Sequence, residues 1–282
     1  MLWNRTVLNT LRDQIDYIAL HTYVGNQQND LERFLGQSQL NIERYIDTTA
    51  ALIREVQGGR PNARPIYIAY DEWNVWYRAQ NDKKLEEVYN FEDALAMGMF
   101  FNTFFRHADV VRMANLAQMV NVIAPMMTNK QGIFLQPTFF PIAEYSKQRG
   151  NIALSPHVAA PTYRLAAAGP GGRGGSGAQG PPISYLDVSS TYNPQTRDLF
   201  VNVLNRSRDK DIVTSVECQE GKMGSNMDVW QMNHADLKAT HTFGDDHKVA
   251  PTTKTVPAQM SGNALRYTFP AHSLTILKLK VD

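Results

Sequence analysis

Three near-continuous apolar runs, separated by helical periodicity, constrain the fold of this chain more than any other feature. The first, Ile15 to Tyr23 (IDYIALHTY), is β-prone. After it the period changes. Ile42, Tyr45, Ile46, Leu52, Ile53 and Val56 recur at helical spacing, with Thr49 the one polar member of the stripe, and Gly58-Gly59 and Pro61 close the segment. A second run, Ile66 to Tyr70, leads directly into Asp71-Glu72. An apolar helix from about Phe91 to His107 separates it from the third run, Val110 to Ala117. Strand, helix, strand, helix, strand with apolar strands is the pattern of a parallel sheet covered by helices. Polar residues gather where the strands end: His21 and Tyr23, then Glu72, then Gln118. In a (β/α)8 barrel that rim is where catalytic groups collect.

After about Ser146 the character shifts to short alternating strands: Ile183 to Ser189, Leu199 to Leu204, Ile212 to Cys218, Met227 to Met232, Leu265 to Phe269 and Leu274 to Val281. Such spacing predicts an antiparallel β-sandwich. The expected organisation is therefore an α/β portion over 1–150 and an all-β portion over 151–282. The Gly-rich segment at 169–182 has neither the preceding strand nor the following helix of a phosphate cradle, so it reads as a loop between sandwich strands.

With 28 basic and 27 acidic residues the formal charge is +1, and no dense basic run points to nucleic acid or to an anionic membrane surface. The longest apolar stretch, Ala94 to Phe105, is shorter than the ~20 residues that span a bilayer and contains Asn102. The Met and Phe residues within it, Met97 to Phe105, read as a buried helix face. The single Cys218 excludes an internal disulfide framework and fits a reducing compartment, and the first residues lack the features of a secretion signal, so the expected location is cytoplasmic. His107, His157, His234, His241, His247 and His272 show no metal-ligand spacing, and neither metal nor cofactor is implied.

The segment Tyr70 to Tyr77 (YDEWNVWY) is where chemistry concentrates. An ionised acid withdrawn from water costs several kcal/mol unless it is paired, so two acids at the end of an apolar run call for a reason. As a structural residue, Glu72 would pair with Arg78 or a nearby lysine. As a functional one, it would stand at a barrel mouth beside aromatic rings that stack on a sugar, poised to attack an anomeric carbon. Strand alternation sends Asp71 and Glu72 to opposite faces, so only one of them is expected to face the barrel axis.

YDEWNVWY resembles the nucleophile segment of glycoside hydrolase family 51, the α-L-arabinofuranosidases. The resemblance extends over DYIALHTYVGNQQND (Asp16 to Asp30), over Val88 to Thr128 and into the downstream strands, close to the whole chain. It implies that the α/β portion is the end of a (β/α)8 TIM barrel, about its last three strands, followed by the sandwich. It implies that Glu72 is the nucleophile of a retaining double displacement, that His21, Tyr23 and Gln118 contact the furanose or orient Glu72, and that Trp76 lines the entrance. The implied partner is an arabinose-containing oligosaccharide, and homo-oligomers, commonly hexamers, are implied as well.

A retaining glycosidase also needs a second carboxylate roughly 5–5.5 Å from the nucleophile. In the resembled family it is the glutamate of an Asn-Glu pair on an earlier strand, and no Asn-Glu dipeptide occurs in these 282 residues. The expectation is a C-terminal part of such an enzyme that lacks the acid/base half, slowed on ordinary glycosides by about 10²–10⁴. The competing reading is a non-catalytic carbohydrate-binding or assembly module derived from one.

Overall fold

A computed structural model describes residues 2–58, 60, 63–78, 85–148, 150–166 and 179–282. In chain order the elements are α1 (Leu2–Leu11), β1 (Tyr17–Val24), α2 (Leu31–Gln57), β2 (Tyr67–Val75), α3 (Phe91–Arg106), β3 (Val111–Leu116), the hairpin β4 (Met126–Asn129) and β5 (Gly132–Leu135), and α4 (Phe139–Lys147). Strands follow: β6 (Ile152–Leu154), β7 (Thr162–Tyr163), β8 (Ile183–Ser184), β9 (Leu186–Asn193), β10 (Asp198–Asn205), β11 (Ile212–Glu217), β12 (Met223–Met232), β13 (Thr252–Pro257), β14 (Met260–Ser261), β15 (Ala264–Phe269) and β16 (Ser273–Val281). The Gly-rich segment expected at 169–182 falls mostly in 167–178, outside the described residues.

The three apolar runs form one parallel sheet in the order β1-β2-β3. In β1, burial alternates: Ile18 and Leu20 turn into the core, while Tyr17, Ala19 and His21 face the open side. Against the covered side lies α2, started by the Asp30 side chain accepting from Arg33 N–H at 3.0 Å and buried along Ile42, Ile46, Thr49, Ile53 and Val56. This helix begins earlier than its apolar stripe suggests: its first turns bury Leu31, Phe34 and Leu35, and the half-buried Gln37, Ser38 and Gln39 interrupt the stripe before Ile42.

The helix α3 is buried almost all round. Its capping box, Asn90 with Asp93, satisfies the first turn, and Phe91, Ala94, Leu95, Met97, Met99 and Phe100 are shut off from solvent. Each such large apolar side chain contributes about 1.5–3 kcal/mol on burial. One face meets the parallel sheet, where Trp73 packs against Phe100, Phe101 and Phe104. The opposite face meets a six-stranded antiparallel sheet, β13-β12-β16-β10-β9-β6. There the approach requires Gly98, since a Cβ at that position would stand 2.7 Å from Leu274 Cδ1. Asn102, the polar interruption of the apolar stretch, is fully buried and satisfied: it donates to Asp187 O and accepts from Tyr145 Oη and Ser189 Oγ.

The six-stranded sheet packs its other face on a three-stranded antiparallel sheet, β11-β15-β14, around Val201, Val203, Val229, Leu265, Phe269 and Leu277. The layers therefore run parallel sheet, helices, antiparallel sheet, antiparallel sheet. Among the described residues no helix is long and apolar enough to cross a membrane.

Candidate active site

β2 does not stop at Tyr70 but continues through Asp71 and Glu72 to Val75. Its pairing with β1 slips on the way. Ala19 pairs with Ala69 but His21 pairs with Glu72, so β1 takes two steps where β2 takes three. The pairing with β3 slips over the same stretch, from Tyr70 with Ala114 to Trp73 with Leu116. This is a β-bulge, a device that re-aims side chains next to active sites.

The bulge corrects the expectation that Asp71 and Glu72 face opposite ways. Both carboxylates reach one imidazole: His21 Nε2 lies 3.1 Å from Asp71 Oδ1, and His21 Nδ1 lies 3.2 Å from Glu72 Oε2. Both contacts are ion pairs only when the imidazole is protonated. The other oxygen of Glu72, Oε1, accepts from the Tyr23 hydroxyl at 2.5 Å. Burial first, and then the bond to Glu72 and its negative charge, push the Tyr23 phenol well above its ordinary pKa, so it stays a donor. With a neighbour at each oxygen, the Glu72 side chain is still 41% exposed.

Trp76 stands over Tyr23 edge to face, ring centroids 5.3 Å apart at 76°, and its backbone N–H donates to Val24 O. It is 40% exposed. The two tryptophans thus divide the work: Trp73 anchors the strand in the core, and Trp76 presents indole surface beside the carboxylate. Gln118 follows β3 on the same rim. Its side chain is exposed, and among the described residues no hydrogen bond joins it to Glu72, Tyr23 or His21.

Sequence reading missed what fixes that rim. Asn74, 1% exposed, donates through Nδ2 to the carbonyls of Ala117 and Ile123, both at 2.6 Å, and so clamps the two ends of the segment that holds Gln118. A polar side chain on a buried strand position was the available signal. Glu92, also 1% exposed, was hidden in the first turn of α3. It accepts from Asn26 Nδ2 at 3.1 Å and Tyr77 Oη at 3.3 Å, linking the segments after β1 and β2. Tyr77 in turn lies against Gly25, where a Cβ would stand 2.5 Å from its ring. Among the described residues no group of three or more His, Cys, Asp or Glu is arranged to hold a metal ion.

A partly exposed carboxylate that accepts from a tyrosine, lies beside a histidine and an indole, and stands toward the C-terminal rim of a parallel sheet is an arrangement compatible with the glycoside hydrolases. A family model for the α-L-arabinofuranosidase C-terminal domain matches residues 71–273. The intracellular exo-α-(1→5)-L-arabinofuranosidase 1 of Bacillus subtilis is 31% identical over 290 residues, covering 99% of this chain and 55% of the relative. The probable α-L-arabinofuranosidase C of Aspergillus clavatus is 35% identical over 283 residues, covering 95% of this chain and 50% of the relative. Among solved structures, the Thermotoga maritima α-L-arabinofuranosidase in complex with arabinose superposes with a TM-score of 0.83 at 23% identity, over 99% of this chain and 56% of that one, a likeness of fold. The chain belongs to the family defined by the α-L-arabinofuranosidase C-terminal domain. It spans about half the length of the curated relatives it matches.

Proposed function

We propose that this chain carries the nucleophile half of a retaining, exo-acting α-L-arabinofuranosidase that releases terminal α-L-arabinofuranosyl units from arabinan or arabinoxylan oligosaccharides. The observation that carries the reading is Glu72, bonded to Tyr23, with His21 Nδ1 3.2 Å from its other oxygen, and still 41% exposed. On this reading a Glu72 oxygen attacks the anomeric carbon, the bond to the glycosidic oxygen breaks, and that oxygen leaves with a proton from a general acid. Water then attacks the same carbon, yielding arabinose and the free carboxylate. Tyr23 and His21 fix the orientation of the nucleophile, Trp76 stacks at the entrance, and Gln118 reaches a sugar hydroxyl from the neighbouring strand end.

The three parallel strands are read as the last three of a (β/α)8 barrel occupying 1–150, with 151–282 as its sandwich domain. The general acid is to be sought in the half of the relatives that this chain does not span. A cytoplasmic location is proposed from the relatives named intracellular, and assembly into homo-oligomers from the family alone.

The test is 2,4-dinitrophenyl α-L-arabinofuranoside, whose leaving group departs without protonation. A burst of dinitrophenolate with one arabinosyl unit attached to the peptide containing Glu72 is the expected result. Arabinose binding without labelling would favour the non-catalytic module, and neither binding nor labelling would refute the assignment.

A further inference from the structure

We infer that Lys238, on the segment between β12 and β13, is a positioning residue for the Glu72 site and acts through Glu92. The inference rests on the arabinofuranosidase reading above. Lys238 Nζ lies 2.5 Å from Glu92 Oε1, and among the described residues no other cation pairs with that buried carboxylate. Glu92 is also where the two rim segments meet, Asn26 from behind β1 and Tyr77 from behind β2. Tyr77 directly follows Trp76, Trp76 packs on Tyr23, and Tyr23 holds Glu72. A single carboxylate thus ties both rim segments together, and its charge is compensated from the sandwich side.

The arrangement isolates the role of the ammonium. The backbone flanking Lys238 is docked on α3 independently, since Phe91 N–H donates to Ala239 O and Glu92 N–H to Leu237 O. Loss of the side chain would therefore leave the segment in place and strip Glu92 of its counter-charge. A charge buried without compensation relocates or takes up a proton. Beside it lies a cleft of about 350 Å³, lined by Glu92, Lys238, Arg208, Asp236 and His272 among others, into which the carboxylate could turn. Asn26 and Tyr77 would then lose their common acceptor, and Trp76 its fixed place over Tyr23.

The experiment compares the wild type with Lys238→Met, Lys238→Arg and the double variant Glu92→Gln/Lys238→Met in the 282-residue chain. It reads the rate of Glu72 arabinosylation by 2,4-dinitrophenyl α-L-arabinofuranoside, well below each melting temperature. Lys238→Met is expected to slow labelling by about tenfold, inside the up to ~100-fold cost of an ~1 Å misplacement. Lys238→Arg should stay within about twofold of the wild type, because an Arg in that place still supplies a positive charge to Glu92. Should Lys238→Met fail to fold, the double variant, which has no buried charge left at position 92, is expected to fold and to label slowly. A folded Lys238→Met or double variant that labels at the wild-type rate, or a Lys238→Arg as slow as Lys238→Met, overturns the inference while leaving the reading of Glu72 intact. A wild type that is not labelled at Glu72 overturns that reading and this inference with it.

Discussion

The Tyr23 hydroxyl donates to Glu72 Oε1 across 2.5 Å, joining the C-terminal ends of β1 and β2 through their side chains as well as their backbones. That bond uses one of the two carboxylate oxygens and leaves the second to His21.

Removing the hydroxyl alone, with Tyr23→Phe, should keep the ring against Trp76 and the fold intact. The rate of Glu72 arabinosylation is expected to drop by about 10- to 100-fold, the loss of one hydrogen bond to a charged group. Circular dichroism should be unchanged. Because burial and the neighbouring Glu72 hold the phenol above its ordinary value of 10.0, no loss of labelling from tyrosine ionisation is expected up to that pH.

Asn74→Ala would deprive the Ala117 and Ile123 carbonyls of their common donor. Leaving the buried Ile123 carbonyl and the half-buried Ala117 carbonyl without their donor costs about 1–3 kcal/mol, read as a lower urea midpoint. A change of less than about 0.5 kcal/mol would mean that water replaces the clamp.

Asp93 gives a pH signature. Its complete burial outweighs the Arg78 guanidinium and the Asn90 backbone bond, and the nearby Glu92 and Glu87 add to the rise, pushing its pKa from 3.8 up to about 7. The protonated form is therefore favoured by folding. That contribution is fully present below pH 3.8 and lost as the pH rises toward 7. Relative to Asp93→Asn, the wild type should lose denaturation midpoint between these limits and hold level above them. A relative midpoint that climbs with pH would show instead that pairing with Arg78 dominates over burial.

The parallel sheet was legible because β-prone apolar runs separated by helical stripes leave few other solutions, and Glu72, His21 and Tyr23 could be brought to one rim on that ground. The bulge was not legible. Nothing in Tyr70-Asp71-Glu72 distinguishes an in-register strand from one carrying an extra residue, and alternation therefore misassigned Asp71. Glu92 and Lys238 lie 146 positions apart in the chain, a contact that no local pattern encodes. The apolar face of α3 was readable as core, but a helix stripe does not say that two different sheets will cover it.

That double cover bears on how such chains can be inherited or rebuilt. With the parallel sheet on one flank of α3 and the antiparallel sheet on the other, the wall behind Trp73 is shared property, and Trp73 sits directly beside Glu72 in β2. Splicing the sandwich of one relative onto the first half of another would replace Leu274 opposite Gly98 and Asp187 opposite Arg106 at once. Crossovers ahead of β1 leave that seam whole, so viable chimaeras should cluster there and be rare near residue 150.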